Sequence, residues 1–476
     1  MSQIHDLTAL EQAEAVRRRE LSPVEITDHY LDRIDRLDEQ VGAFITVTAE
    51  SAREQARKAE ERVLRDAPED LPPLLGVPVP IKDLDPVAGV RHTFGSVAYA
   101  DNTAAVDAEF VVRLRAAGTV MTGKTNTPEF GSPCYTENDI APPARTPWDT
   151  SRSAGGSSGG AAAAVAAGLA PVAQGSDGGG SIRIPASVCG LFGIKPSRGR
   201  ISSAPVRPDY IGLSTSGPLA RTVADAAALL DAMAGSLPGD YYTAPPLPAG
   251  ETFLDHAGRE PGRLRIGRFS TPPVPGVQPD PAVLEAYEDA TRLLTGLGHD
   301  VEEVDCPFDA STLRMFSVVW AAMAVATPVP PEFEDRLRPL SRSLRAKARG
   351  LSVEDYMRAT AGLQLAIRKA MPAMLGYDAL LSPTLAALPA PVGHFDAGDD
   401  PEEEFARMTR FTPYTSMFNV TGQPSASVPL HWTPEGLPVG VMLTGRMGEE
   451  ATLLSLSAQL EKARPWAERR PRLWDA

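Results

Sequence analysis

Two serines and one lysine in this 476-residue chain have the types and settings that acyl-transfer chemistry requires. Ser157 lies in the glycine- and serine-rich segment 155–160, and Ser181 follows a triple glycine 24 positions later. Lys82 ends a short apolar run that begins at Gly76. A serine hydroxyl is a poor nucleophile until a base removes its proton. A desolvated lysine can be that base, because burial disfavours the charged amine and lowers its pKa.

The glycine-rich segments allow two other interpretations. A flexible linker is one, but the alanine-rich run 161–167 predicts a helix within 158–167, directly after the first segment. A phosphate-binding loop is the other. Its pattern requires a lysine after the last glycine, and none follows Gly159 or Gly180. Hydrolysis by a serine is therefore the favoured interpretation.

Lys82 is a better candidate base than any of the seven histidines. None of the histidines lies in a recognisable motif, and His92 is the least easily dismissed because it lies near Lys82 in the sequence. Considered alone, Lys82 could also form a buried ion pair with Asp83 or Asp85.

Composition and charge limit the function classes. A net charge of −15 disfavours nucleic acids and anionic membrane surfaces, which both bind basic patches. The cysteines Cys134, Cys189 and Cys306 are widely spaced and odd in number, so we expect free thiols and no metal site. No signal peptide or membrane-spanning run is recognisable, which predicts a cytoplasmic protein.

Periodicity along the chain predicts an α/β protein. Residues 1–66 show helical patterns, including Ser22 as the N-cap of a helix that begins at Pro23. Over 70–235, short apolar strands alternate with glycine turns and helices, which favours a parallel or mixed sheet. Strand signals continue through 377–476 and no flexible linker appears, so 1–476 is predicted to be one domain.

The segment from Gly155 to Pro196 resembles the amidase signature family. It combines the Gly-Gly-Ser-Ser-Gly-Gly turn, the alanine-rich helix and the run Gly-Ser-Asp-Gly-Gly-Gly-Ser-Ile-Arg-Ile-Pro. Further matches lie at 76–83, 123–130, 136–138, 146–149 and 189–196. The resemblance implies a large, mixed, mostly parallel twisted sheet covered by helices on both faces. It also implies that 70–235 is the signature core, that the variable region 236–376 covers the pocket, and that no cofactor is needed.

The resemblance also implies a role for each motif residue. Ser181 would be the acyl-accepting nucleophile, and Lys82 the base. Ser157 would bridge them, with a cis peptide bond to Gly156. Asp177 and Arg183 would organise the loop by hydrogen bonds. The backbone N–H groups expected to form the oxyanion hole belong to Gly178, Gly179, Gly180 and Ser181.

The acyl site is where the sequence departs from the family pattern. Gly178 stands where the family usually has threonine or another side chain, which predicts a roomier oxyanion loop. The segment 131–135 would supply part of the pocket wall. Its candidate substrate contacts are Ser132, Cys134 and Tyr135. Further candidates, equally explicable as core aromatics, are Trp320, Phe411, Tyr414 and Phe418.

The expected activity is amide hydrolysis on a small-molecule substrate. The resemblance leans towards bacterial amidases of the 6-aminohexanoate-cyclic-dimer hydrolase or aryl amidase type, which act on bulky, apolar, aryl or cyclic amides, with some esters. Two alternatives are the amidase subunit of a tRNA-dependent amidotransferase and a non-catalytic binding protein on the same fold. The intact lysine and serines disfavour the latter. A homodimer is a further expectation.

Overall fold

The computed structural model describes residues 3–205, 207–208 and 211–476, in which helices and strands alternate along most of the chain. The helices are α1 (Ala9–Arg17), α2 (Pro23–Val41), α3 (Ala49–Arg65), α4 (Glu109–Ala116), α5 (Gly159–Ala166), α6 (Arg183–Cys189), α7 (Val223–Met233), α8 (Phe253–Ala257), α9 (Pro281–Gly296), α10 (Ala310–Met323), α11 (Pro339–Gly350), α12 (Val353–Met374), α13 (Pro401–Phe411), α14 (Met417–Thr421) and α15 (Glu450–Ala463). The strands are β1 (Phe44–Val47), β2 (Ile81–Lys82), β3 (Gly123–Thr125), β4 (Val172–Asp177), β5 (Phe192–Lys195), β6 (Thr215–Ala220), β7 (Arg265–Arg268), β8 (Asp300–Glu303), β9 (Ala379–Pro383), β10 (Ser425–Trp432) and β11 (Pro438–Gly445).

The central sheet has eight strands in the order β4-β6-β5-β10-β11-β9-β7-β8. The predicted large mixed sheet is confirmed, but parallel pairs do not predominate within the described chain. Every pair from β4 to β9 is antiparallel, and only β9–β7 and β7–β8 are parallel. The alternation of strands and helices favoured a parallel or mixed sheet, and the resemblance implied a mostly parallel one. A short turn joins β10 to β11, however, and such a turn permits only antiparallel pairing.

Helices cover both faces of this sheet, as expected. Neighbouring residues of one strand face opposite cores: Val172 belongs to the hydrophobic cluster that includes residues of α7, α9 and α15, whereas Ala173 belongs to the cluster that includes residues of α2, α5 and α6. The alanine-rich helix α5 is buried along its whole length. A Cβ added at Gly160 would lie 2.3 Å from the backbone nitrogen of Asn126, so the close approach of α5 to that loop requires glycine.

A small three-stranded sheet, β1-β3-β2, holds Lys82 against the central sheet. Lys82 pairs with Thr125 across the parallel strands β2 and β3. Its backbone N–H donates to Gln174 Oε1 on β4 at 2.9 Å. These two attachments fix the strand from which the lysine side chain projects.

The helices α10 to α13 lie over the end of the sheet where β4 stops. α10 packs on α11 and α12, and α11 packs on α13.

Near the start of the chain, Ser22 caps α2 as predicted, because its Oγ accepts from the N–H groups of Val24 and Glu25. Over the parts of the chain that the structure describes, no helix is both long and apolar enough to cross a membrane.

Candidate active site

The three predicted catalytic segments meet where β2, the turn before α5 and the loop after β4 come together. Lys82 Nζ lies 2.8 Å from Ser157 Oγ and 2.8 Å from Ser158 Oγ. Ser181 lies nearby, because its carbonyl oxygen accepts from the Ser158 N–H at 3.2 Å. The peptide bond between Gly156 and Ser157 is cis, as expected from the resemblance.

Among the residues that the structure describes, Lys82 is buried without a carboxylate partner. Its side chain is 0% exposed, and burial lowers the pKa of Lys82 to about 7, against the opposing charge of Asp85. The neighbouring carboxylates are occupied elsewhere. Asp83 pairs with Lys124 at 2.9 Å, and Asp85 accepts from Gln174 and Arg207. The alternative ion pair of Lys82 with Asp83 or Asp85 is therefore not formed, and the lysine can be neutral near pH 7.

His92 does not compete for the role of base. Burial and the nearby Lys124 lower the pKa of His92 to about 4, and its ring packs on Phe94 with centroids 4.0 Å apart. Neither of its ring nitrogens bonds to Ser157 or Ser181. From the sequence, His92 was an alternative candidate base only because it lies near Lys82 along the chain.

Two serines around the lysine were missed as part of the site. Ser158 Oγ donates to the Ser176 carbonyl at 3.1 Å and accepts from the Ser176 N–H at 3.2 Å. Ser176 Oγ lies 3.1 Å from Lys82 Nζ. Ser158 stood in the motif beside Ser157, and either serine of that pair could have been assigned to the lysine.

Asp177 holds the loop that follows β4. Its carboxylate accepts the N–H groups of Gly180 at 2.7 Å and Ile182 at 3.1 Å. Arg183 donates to it twice, at 2.9 and 3.0 Å, and Asn419 donates once at 2.8 Å. Burial opposes ionisation, but the guanidinium of Arg183 outweighs it and holds the pKa of Asp177 well below its usual range. Asp177 and Arg183 therefore lie at the loop after β4 and bond to each other there, where residues that organise this loop would have to be.

One expected oxyanion donor is engaged elsewhere. The Gly180 N–H donates to Asp177, so in this structure it is not free for a substrate oxygen. Gly180 has φ +134°, and an added Cβ would lie 2.3 Å from Thr415 Oγ1, so this position requires glycine. By contrast, no acceptor within the described residues satisfies the N–H groups of Gly178, Gly179 and Ser181. These three N–H groups therefore stay candidates for the oxyanion hole that the resemblance predicts.

A cavity that is open to solvent adjoins Ser181. Its lining residues are Ser132, Pro133, Cys134, Gly179, Ser181, Ile184, Leu313, Phe316, Ser317, Trp320, Phe405, Met408, Thr409, Thr412 and Ser416. None of these residues is ionised near pH 7, because burial raises the pKa of the Cys134 thiol further above its usual value. The cavity therefore suits an uncharged ligand.

Several pocket candidates from the sequence lie outside this lining. Ser132, Cys134 and Trp320 are in it, whereas Tyr135 is not. The Tyr135 ring stacks on Phe395 with centroids 5.0 Å apart, and its hydroxyl donates to Glu404. The other predicted aromatics that pack in the core instead are Phe411, Tyr414 and Phe418. Seven of the fifteen lining residues come from α10 and α13, whose apolar periodicity fits a core face as well as a pocket wall.

Comparison with known proteins places the chain in a family. A model of the amidase family matches residues 25–454. The 6-aminohexanoate-cyclic-dimer hydrolase of Paenarthrobacter ureafaciens is 36% identical over 497 residues, covering 98% of this chain and 96% of that protein. An acylamidase of Rhodococcus erythropolis is 34% identical over 472 residues, covering 98% of each protein. A solved structure of a 6-aminohexanoate cyclic dimer hydrolase has a TM-score of 0.91 and 33% identity, covering 99% of this chain and 100% of that one.

These matches span nearly the whole length of each protein. The chain belongs to the amidase family and is a hydrolase that acts on amide C–N bonds.

Proposed function

We propose that Lys82, Ser157 and Ser181 form a catalytic triad that hydrolyses uncharged, apolar amides with bulky, aryl or cyclic groups through an acyl-enzyme. The observation that carries the proposal is the environment of Lys82. Its amine is buried, lies 2.8 Å from Ser157 Oγ and has a pKa lowered to about 7. A lysine buried without a counter-ion among the described residues destabilises the fold, and its contact with the Ser157 hydroxyl supports a role as a base.

In the acylation step, neutral Lys82 takes the proton of Ser157 while Ser157 takes the proton of Ser181. The freed Ser181 oxygen attacks the amide carbonyl, and the C–O bond forms as the carbonyl π electrons move onto oxygen. The hydroxyls of Ser157 and Ser181 are not hydrogen-bonded to each other in this structure. Catalytic hydrogen bonds often tighten only when substrate is bound.

The oxyanion that develops needs donors about 3 Å away. The N–H groups of Gly178, Gly179 and Ser181 supply them in this proposal. Collapse of the intermediate breaks the C–N bond, and the proton held by Lys82 returns through Ser157 to the leaving amine. A water molecule then attacks the Ser181 ester with the same relay as its base, which releases the acid and restores the hydroxyl.

The substrate class follows from the lining of the cavity. A carboxylate or ammonium group placed there would lose its hydration without gaining a counter-ion, which is costly. Aromatic and aliphatic side chains of α10 and α13 would instead contact an apolar group. The relative named a 6-aminohexanoate-cyclic-dimer hydrolase supports cyclic amides as members of this class, and the acylamidase supports open-chain ones.

The test uses the purified chain alone with two anilides of matched size. One is the 4-nitroanilide of hexanoic acid, and the other is the mono-4-nitroanilide of adipic acid, whose far end is a carboxylate. We expect turnover of the first with kcat/KM at least about 100-fold above the second. Replacing Ser181 with alanine should remove both activities.

Equal rates on the two anilides would contradict the uncharged substrate class. Turnover that survives Ser181→Ala would contradict the triad. Activity only in the presence of a copurified second subunit would favour the amidotransferase alternative, and absence of hydrolysis on any amide would favour the binding protein.

A further inference from the structure

Two aromatic rings of α10 lie against the oxyanion loop, on the wall of the cavity. Phe316 and Trp320 are one helical turn apart, and their rings stack with centroids 5.4 Å apart and an interplanar angle of 25°. Both line the cavity together with Gly179 and Ser181. The rings therefore lie beside the position where the acyl group would bond to Ser181.

The rings occupy the space that side chains on the loop would need. A Cβ added at Gly178 would lie 3.4 Å from Trp320 Cζ3 and 3.5 Å from Trp320 Cη2. A Cβ added at Gly179 would lie 3.5 Å from Phe316 Cζ. Each is an ordinary van der Waals distance, so a methyl group at either glycine would fit and would touch the ring.

This situation differs from that of the third glycine. Gly180 has a positive φ and no room for a Cβ, so its backbone demands glycine. Gly178 and Gly179 have no such conformational requirement. At Gly178 an alanine would fit, but the γ atoms of a larger side chain would meet Trp320 on one side. On the other side Ser214 Oγ lies 3.7 Å from the added Cβ.

We propose that Trp320 and Gly178 act as one specificity-determining pair that sets the width of the acyl pocket. With glycine at 178, the indole lies against the oxyanion loop and leaves a slot that favours a flat apolar acyl group lying along its face. A branched side chain at 178 would push the indole into the cavity and narrow the slot. The inference rests on the acyl-enzyme proposed above and adds the residues that select the acyl group.

The experiment compares 4-nitroanilides of benzoic and acetic acid. The readout is the ratio of kcat/KM for the benzoyl substrate to that for the acetyl substrate. We expect Trp320→Ala to lower this ratio about 10-fold or more, since loss of an apolar wall costs about 10-fold to 200-fold in discrimination. Gly178→Thr should also lower the ratio. Arg314→Ala, on the exposed face of α10, is the matched control and should leave the ratio unchanged.

The double variant Gly178→Thr/Trp320→Ala tests the pairing. Once the indole is removed, the threonine has nothing to displace, so the ratio should equal that of Trp320→Ala alone. Additive effects of the two substitutions would overturn the pairing. Trp320→Leu, which keeps an apolar contact for α10, is a second variant with the same expected direction should Trp320→Ala fold poorly.

The acetyl substrate separates the two proposals. If its turnover still depends on Ser181 but neither single variant changes the ratio, the specificity pair is wrong and the proposed function stands. If its turnover does not depend on Ser181, the acyl-enzyme is wrong, and the inference falls with it.

Discussion

The floor of the site and its roof are built by different kinds of interaction. The floor, residues 76–196, buries charged and polar groups in directional networks, such as Asp177 with Arg183 and Lys124 with Asp83. The roof, formed by α10 and α13, presents apolar rings and aliphatic chains to the cavity. The difference indicates that fixed hydrogen bonds position the chemistry, whereas the shape of an uncharged wall selects the substrate.

The two regions are joined by a small number of polar contacts. Tyr135 of the floor donates to Glu404 on α13, and Asp139 of the floor pairs at 2.9 Å with Arg338, just before α11, which packs on α10 and α13. Burial raises the pKa of Glu404, so the Tyr135 contact is made by a carboxyl group that ionises less readily than usual. Substitutions of side chains in the roof are therefore expected to leave the hydrogen-bond network of the floor intact.

The largest expected effect is a difference in kcat/KM between alanine substitutions of two serines that line the same cavity. Ser181→Ala removes the proposed nucleophile and should lower kcat/KM for an apolar anilide by about 10⁴-fold or more. Ser317→Ala removes a hydroxyl that donates only to Leu313 within α10, so kcat/KM should stay within about 3-fold. Steady-state kinetics on both purified variants measure the difference. Comparable losses of kcat/KM in the two variants would contradict the separate roles of floor and roof.

The next effect concerns two buried lysines. Burial lowers the pKa of Lys82 to about 7 and, with the charge of Arg183, that of Lys195 to about 7. Of these two lysines, Lys82 contacts Ser157 Oγ, whereas Lys195 Nζ donates to the Pro196 carbonyl. The base must be neutral, so kcat/KM should rise with pH through about 7 and level off above it.

Substituting each lysine in turn tests which of the two gives rise to the midpoint of the pH profile. Lys82→Met should lower kcat/KM about 10²-fold to 10⁴-fold, whereas Lys195→Met should keep the midpoint of the pH profile. Profiles recorded from pH 5 to 9 test both statements. The assignment fails if the midpoint disappears in Lys195→Met while Lys82→Met keeps it.

Stability should respond more strongly to the floor network than to a roof contact. Asp177→Asn leaves Arg183 buried without its counter-ion and should cost about 3–5 kcal/mol of unfolding free energy near pH 7. The native pKa of Asp177 is depressed, so its contribution is complete above the unfolded pKa near 4 and is lost as pH falls towards the native pKa. Urea unfolding at pH 7 and pH 3.5 should therefore show a smaller difference from wild type at the lower pH. A difference that grows on acidification would contradict this account.

The smallest effect belongs to the roof. Met408→Leu conserves volume at the cavity wall and should cost less than about 1.5 kcal/mol of unfolding free energy. Because Met408 lines the cavity where the acyl group would bind, KM for apolar anilides should change more than kcat. A fall in kcat with KM unchanged would indicate that this helix also positions the reacting groups.

The floor was the more predictable region because its motifs are contiguous and chemically distinctive. The glycine-rich segments drew attention to Ser157 and Ser181 and an apolar run to Lys82, and their proposed roles came from the family resemblance. The engagement of the Gly180 N–H by Asp177 could not be foreseen, because a backbone donor has no sequence signature. The same holds for Ser158, whose contact with Lys82 depends on how the turn before α5 is folded.

The roof and the sheet were less predictable for a different reason. Phe316 and Met408 lie on amphipathic helices, and apolar periodicity does not distinguish a core face from a cavity wall. Tyr135 adjoins two pocket residues in sequence, yet its side chain points towards Phe395 and Glu404. The sheet was expected to be mostly parallel, whereas most of its strand pairs are antiparallel. Strand order is set by long-range pairing, which alternating strand and helix patterns do not encode.

The most direct test of the account is to trap the covalent intermediate. The protein is mixed with an apolar 4-nitrophenyl ester, whose acylation is fast, quenched in acid during turnover, digested and analysed by mass spectrometry. We expect the acyl group on the peptide that contains Ser181, with no such adduct in Ser181→Ala. An acyl group on Ser157, Ser158 or any other residue, or turnover without a covalent adduct, would contradict the central claim that Ser181 is the nucleophile.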